Sequence, residues 1–330
     1  MTDLNVTRYR FTLLRAGEFR LDGGSMFGLI PRVVWQKQVA VDDRGRVSVQ
    51  HNCLLLERLD DVPGASSAPK LIQIEVGTGN KLDEKSRDIF ALGQRSIIDA
   101  LHEIDCRPQD IRLVTATHLH FDHAGGLTRL CEPGEAPDWT GQASSFGASR
   151  GGHGVKLTFP NAVHIAQRRE WLDALENKSV MTRTYFPDHL LPIEPVLKLI
   201  DGPPPFEPGF VPGKLDMPRA SQESREIEIA PGLFAFRIPG HTWGQQGFRF
   251  VAADGRTIVF VPDVLPTAAH VGQAYSLSYD VEPYTSSVSR HWLLREATDR
   301  KWTLILDHEH GHPVFTVKEN GKGWFDLEKA

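Results

Sequence analysis

Three histidines and an aspartate fall within six residues at 118–123, in the order Thr117-His118-Leu119-His120-Phe121-Asp122-His123. Imidazole nitrogen and carboxylate oxygen are donors that zinc and related divalent ions accept, so a run this dense points to metal. A single catalytic ion takes three protein ligands and leaves one position open; this loop alone offers four donors, which points to two ions. A lone histidine is more often a hydrogen-bonding side chain than a ligand, but a cluster completed by donors elsewhere in the chain reverses that weighting. Such donors follow. His241 sits on the turn Pro239-Gly240-His241-Thr242, Asp263 closes the apolar run 258–262, and His308 closes the run 304–306 with His310 and His312 nearby. Each lies where a predicted strand ends, as the first loop does after the apolar run 111–116, so seven side chains can converge on one rim.

This constellation resembles the metallo-β-lactamase superfamily of hydrolases: His-x-His-x-Asp-His at 118–123, Gly-His-Thr at 240–242, the strand-end Asp263 and the late His308. The resemblance implies a four-layer αβ/βα sandwich of that superfamily's type, in the α/β class. It also implies that His118, His120 and His241 hold one ion, that Asp122, His123 and His308 hold a second, and that Asp263 bridges them. His308 is preferred to His310 and His312 because it follows its strand directly. Relatives usually carry Asp-x-Gly where this chain has Glu75-Val76-Gly77, the aspartate orienting a ligand histidine from behind. The extra methylene moves the carboxylate by about 1.5 Å, one carbon-carbon bond.

The Leu21-Asp22-Gly23-Gly24-Ser25-Met26-Phe27-Gly28 stretch is a glycine-rich turn with two apolar residues for the core. It is also similar to a segment of the lactonase-like branch, which includes quorum-quenching N-acyl homoserine lactonases and methyl parathion hydrolase. On that resemblance Met26 and Phe27 line the substrate pocket, Tyr185 and Phe186 cap it, and His270 stands near its rim.

Because the ligands span 118–308, one site needs both halves, and the 330 residues are expected to form a single domain with surface insertions around 131–156 and 201–225. A hydrophobic fraction of 40% supports a sizeable core. The net charge of -5, with no long Lys/Arg run, argues against nucleic acid and for a small-molecule substrate. Neither a secretory signal nor an 18-residue apolar span is visible, and Cys53, Cys106 and Cys131 form no pairing or metal-binding framework. A reduced, cytoplasmic protein without membrane attachment is expected, with a homodimer left open.

Strands are predicted at 9–14, 29–35, 47–56, 71–75, 162–166, 227–229, 233–238, 248–251 and 257–261, with helices at 94–103, 168–175 and 285–298. A further helix is expected after His123, carrying Leu127 and Leu130. Glycines and serines crowd 132–154, which reads as a surface loop with His153 solvated, and prolines crowd 203–218.

The expected activity is that of a binuclear hydrolase whose metal-bridging hydroxide opens a lactone or cleaves a related ester, with N-acyl homoserine lactones in view and Asp122 carrying the proton. Zinc is the expected metal, with Mn, Fe and Co also suited. The homoserine lactonases carry a tyrosine three residues after the bridging aspartate, where this chain has Pro266. The alternatives are a phosphotriester or aryl ester hydrolase, using aromatics such as Phe27, Phe186 and Trp243, and a mononuclear iron dioxygenase.

Overall fold

The structure, a computed structural model, describes residues 6–59, 68–141, 153–181, 183–205 and 222–330. The chain opens with β1 (Arg8–Asp22), α1 (Gly23–Phe27), α2 (Arg32–Trp35), β2 (Arg46–Arg58), β3 (Leu71–Ile74), α3 (Glu84–Phe90), α4 (Ile97–His102) and β4 (Leu113–Thr115). The ligand loop then contains α5 (Phe121–Ala124), followed by β5 (Thr128–Leu130), β6 (Trp139–Gly141), β7 (His153–Leu157), β8 (Val163–Gln167), α6 (Arg168–Leu175), α7 (Pro187–Leu190) and β9 (Leu197–Ile200). The remainder is β10 (Ile227–Ala230), β11 (Leu233–Arg237), β12 (Gln246–Ala252), β13 (Thr257–Val261), α8 (Pro283–Asp299), β14 (Thr303–Leu306), β15 (Val314–Glu319) and β16 (Phe325–Lys329).

Two half-sheets, β1-β2-β3-β4-β8-β9 and β11-β12-β13-β14-β15-β16, meet where β1 pairs in parallel with β12 through Arg8–Val251 and Tyr9–Ala252. The period-two alternation of strands sorts their side chains into layers. On β2, Leu54 and Leu56 face the same cluster as Ile258 and Phe260 of β13 and Ile305 of β14, so this core lies between the two halves. Their neighbours Cys53 and Leu55 face outward onto Leu101 of α4 and Trp171 of α6, while Val259, Val261, Leu304 and Leu306 face Trp292, Leu293 and Leu294 of α8. The order is helix, sheet, sheet, helix, as expected for this α/β sandwich. Both faces of the central strands are covered, which is why they read as continuous apolar runs.

Some elements differ from expectation. Residues 29–35 form no strand: Pro31 begins α2, Val33 and Val34 point outward, and Trp35 alone is buried, stacked on Phe27. After His123 the chain makes only one helical turn before β5, because Gly125 and Gly126 must lie against the loop at 76–79. A Cβ on Gly125 would come within 2.1 Å of the Thr78 carbonyl oxygen, and one on Gly126 within 2.1 Å of that of Val76. On α6, Trp171 and Ala174 face the core while Leu172 and Leu175 are exposed. The stretch 132–154 is not wholly irregular, since β6 and β7 pair with each other and β7 with β5. The parts of the two expected insertions at 142–152 and 206–221 fall outside the described residues. All three cysteines are free, and no helix among the described residues is long and apolar enough to cross a membrane.

Lys81 clamps the ligand loop from below. Its buried ammonium donates to the carbonyls of Gly125 and, at 2.6 Å, Thr128. Burial pulls its pKa down to about 7, with Asp188 opposing. Between that value and the ordinary lysine range near 10.5 the unfolded chain binds the proton that the folded chain has released, so this group's contribution to stability rises with pH. Denaturant unfolding across pH 7–10 should therefore show wild type gaining a few kcal/mol relative to Lys81→Met. Parallel curves for the two proteins would contradict the assignment.

Candidate metal centre

Strands β4, β13 and β14 and the turn after β11 end on one rim, and each delivers donors there. Gly240, at φ +140°, lets the turn carrying His241 press on α8, where a Cβ would meet the Cα of Ser286 at 2.3 Å. Among the described residues two groups have ligand atoms within 4.8 Å of one another: His118, His120 and His241, and beside them His123, Asp263, Asp307 and His308. All seven are buried.

Hydrogen bonds decide which ring nitrogen each histidine presents. His241 Nδ1 meets Asp280 at 2.9 Å, His123 Nδ1 meets Glu75 Oε2 at 3.2 Å, and His308 Nδ1 meets the Gln50 carbonyl at 3.0 Å. Their Nε2 atoms are thereby turned inward: His241 Nε2 lies 3.0 Å from His120 Nδ1, and His308 Nε2 lies 3.1 Å from His123 Nε2. Two ligands on a tetrahedral ion with bonds of roughly 2.0–2.1 Å stand about 3.3 Å apart, so both pairs have near-ligating separations. His118 Nε2 and Asp263 Oδ1 are buried with no hydrogen-bond partner. Buried polar atoms left this way need an explanation, and a pair of divalent cations fits the donor set.

Asp263 links the groups, with Oδ2 3.2 Å from His241 Nε2 and Oδ1 3.4 Å from His308 Nε2. Asp122 stands at the edge of the second group, 3.6 Å from His308 Nε2 and 3.9 Å from His123 Nε2. Of the late histidines, His310 is exposed and pairs with Glu18, while His312 bonds to the Ala330 carbonyl.

The electrostatics suit cations. Burial and the neighbouring imidazoles hold His118 and His120 well below the usual histidine range, in the neutral form that ligates. Burial also opposes charge on His123, but Glu75 and Asp122 outweigh it and lift the ring to about 10.

Glu75 stands where relatives have aspartate. It adopts a left-handed backbone (φ 63°), and its longer side chain spans the gap, Oε1 accepting from the Thr117 amide at 2.6 Å and Oε2 holding His123. Loss of such support typically weakens metal binding 10- to 100-fold. Glu75→Ala should lower affinity within that range in a competition titration against a chromogenic chelator, and an unchanged affinity would show that His123 needs no such support.

A narrow cleft of about 40 Å³ opens onto His120, Asp122, His241 and Asp263, walled by Leu21, Met26, Phe90, Phe121, Met181 and Tyr279. A larger cavity of about 520 Å³ lies beside it, with Met26 in the wall of both. Phe27 and His270 line the larger cavity and not the cleft. His270 spends both nitrogens on Thr267 (2.7 Å) and the Met26 carbonyl (2.8 Å) and stacks on Phe27. Tyr185 packs on the His120 ring and donates to Glu170, and Phe186 packs on Phe121 from behind, so each meets a residue of the cleft wall without lining the cleft. Trp243 lies under Arg169 and is likewise not in the cleft wall.

Four contributors escaped sequence reasoning. Glu170 accepts from the Leu119 amide, the Tyr185 hydroxyl and the Thr242 hydroxyl, tying the first ligand loop to the turn bearing His241. Asp280 and Tyr279 come from an irregular loop with no motif to mark them. Asp307 had one available signal, its place beside His308.

Comparison with known proteins agrees with this geometry. Residues 76–308 match the family model described as the metallo-beta-lactamase superfamily. The N-acyl homoserine lactonase AiiA of Bacillus thuringiensis subsp. kurstaki is 22% identical over 219 residues, 66% of this chain and 62% of that protein, so the match spans under two thirds of the relative. A probable metal-dependent hydrolase from Staphylococcus aureus superposes with a TM-score of 0.73 at 22% identity, covering 99% of both chains. AidC, a dizinc quorum-quenching lactonase solved with its product N-hexanoyl-L-homoserine, does so with a TM-score of 0.64 at 16% identity, covering 99% of this chain and 98% of AidC. At these identities the superpositions speak to the fold. The matched family model, the sandwich and the buried histidine-aspartate rim agree, and the chain belongs to the metallo-beta-lactamase superfamily.

Proposed function

We propose that the protein is a binuclear metal-dependent hydrolase that opens lactones or cleaves related carboxylic esters. The observation carrying this reading is the pair of adjacent donor groups linked by Asp263 at the floor of an apolar cleft. His118, His120 and His241 would hold one ion, and His123 and His308 with Asp122 the other, Asp263 touching both. Divalent ions bound there supply an acidified water and an electrophile for the acyl oxygen.

The protein's own side chains do the rest. Leu21, Met26, Phe90, Phe121 and Met181 exclude water and receive the acyl group, and Met26, unbranched and adaptable, stands between the cleft and the larger cavity. Asp122 lines the cleft beside the imidazoles, where it can pass a proton to the departing alkoxide oxygen. Tyr279 brings a phenol to the same cleft, where its hydroxyl can donate to the acyl oxygen as charge develops on it. That supplies, from further along the connection between β13 and α8, the donor missing at Pro266.

AiiA and AidC are lactonases by name, which supports lactones as the first substrate class to test. Phe90 and Phe121 in the wall favour one second reading, an aryl ester or aryl phosphotriester. Purified protein reconstituted with zinc should hydrolyse N-hexanoyl homoserine lactone with kcat/KM at least about 10-fold above that for an aryl phosphotriester, as a difference of ~1.4 kcal/mol in barrier requires. The reverse order would install the second reading, and no turnover of either would remove both. Metal analysis finding one iron per chain would favour the mononuclear dioxygenase instead.

A further inference from the structure

The second donor group holds one carboxylate more than its expected ligands require. Asp307 follows the last residue of β14 directly, and its main chain is pinned by the Asn52 amide donating to its carbonyl at 2.9 Å. Its side chain is 1% exposed, and neither carboxylate oxygen has a hydrogen-bond donor. Next to it, close enough for the two acids to share a proton, stands Asp263, whose Oδ1 accepts from no N–H or hydroxyl donor. Asp122 and Glu75 bring further negative charge to the same small void, which His51, His123 and His308 also line. A buried carboxylate without a donor is strongly disfavoured, and one facing other carboxylates more so. The described residues place no Lys or Arg in the wall of that void. A divalent cation answers both problems, and the Asp307 oxygens lie within ligand reach of His123, Asp263 and His308.

Resting on the two-ion reading above, we propose that Asp307 is itself a ligand of the second ion, which thereby sits in a carboxylate-rich set that accepts Mn²⁺ or Fe²⁺ as well as Zn²⁺. The three-imidazole position formed by His118, His120 and His241 keeps the preference for zinc, because carboxylate oxygens suit harder ions and imidazoles suit zinc. The two positions of one site are then chemically unequal, a difference that neither the histidine pattern nor the fold announces.

The test is metal binding, independent of any substrate. Apo protein dialysed against buffered Zn²⁺ and analysed by mass spectrometry should hold two ions per chain in the wild type and one in Asp307→Asn, or bind the second at least about 10-fold more weakly, in line with loss of a metal-supporting group. Thermal melts separate this from a structural role. As a ligand, Asp307 makes the metal-free wild type carry an uncompensated charge, so metal-free D307N melts no lower than metal-free wild type and gains less on zinc addition. As a structural acid held by Asp263, it would leave D307N with two ions of unchanged affinity, which overturns the proposal. A second measurement needs no variant: wild type holding one equivalent of Zn²⁺ should bind one Mn²⁺ per chain, read from loss of the free-ion paramagnetic resonance signal, and no binding overturns the donor set. Wild type that holds fewer than two ions of any kind would instead remove the two-ion reading itself.

Discussion

Asp263→Asn should lower kcat/KM by at least about 10³-fold, a barrier increase of roughly 4 kcal/mol or more, while leaving a folded protein. Its carboxylate alone among the described residues approaches imidazoles of both donor groups, at 3.2 Å from His241 and 3.4 Å from His308. An amide keeps the size but loses the charge, and its NH2 turns a donor toward nitrogens that must themselves be free to ligate. One ion is lost or the two no longer share a ligand, so the substituted protein should hold fewer ions per chain as well as turning over slowly. The fold should survive, since Asp263 belongs to none of the hydrophobic clusters and β13 ends before it. Steady-state kinetics beside metal analysis checks both halves, and activity within tenfold of wild type would mean that Asp263 does not link the ions.

Tyr279→Phe should reduce kcat by about 10²-fold with KM little changed, the usual effect of removing one donor to a developing oxyanion. Tyr279 lines the cleft beside His120, Asp122, His241 and Asp263, and the Ser25 hydroxyl pairs with its phenol, which ties the glycine-rich segment to that cleft. Burial and the nearby carboxylates push its ionisation far above neutral pH, so the phenol keeps the proton it must donate. Because phenylalanine preserves the ring, packing and metal content should be unaltered. The discriminating observation is the split: a loss confined to kcat marks a group that acts in the transition state, whereas a rise in KM alone marks one that only holds substrate. Equal kinetics for the two proteins would leave the acyl oxygen without help from this residue.

The clustering of the candidate donors was legible in the sequence where chemistry imposes spacing. His118, His120 and His123 come from one loop, and each distant donor sits at a strand end, because a metal centre needs several main-chain elements to terminate together. The layers were legible for a similar reason: runs such as Val259-Phe260-Val261 are covered on both faces and must be apolar throughout. What escaped was whatever depends on contact between segments that carry no periodicity. Asp280, Tyr279 and Glu170 reach the site from elements whose local sequence needs nothing of them. The strand expected at 29–35 failed because β-branched residues there are exposed beside Pro31, so burial never selected the extended form. Glu75 lay between: the departure from aspartate was visible, but the left-handed backbone that lets the longer side chain reach both Thr117 and His123 was not.

The claim of two cations on one rim is tested most directly by anomalous diffraction at the zinc edge from crystals of the zinc-loaded protein. Two peaks per chain are expected, one enclosed by His118, His120 and His241 and the other by His123, Asp263 and His308. A single peak, or density away from these side chains, would contradict it.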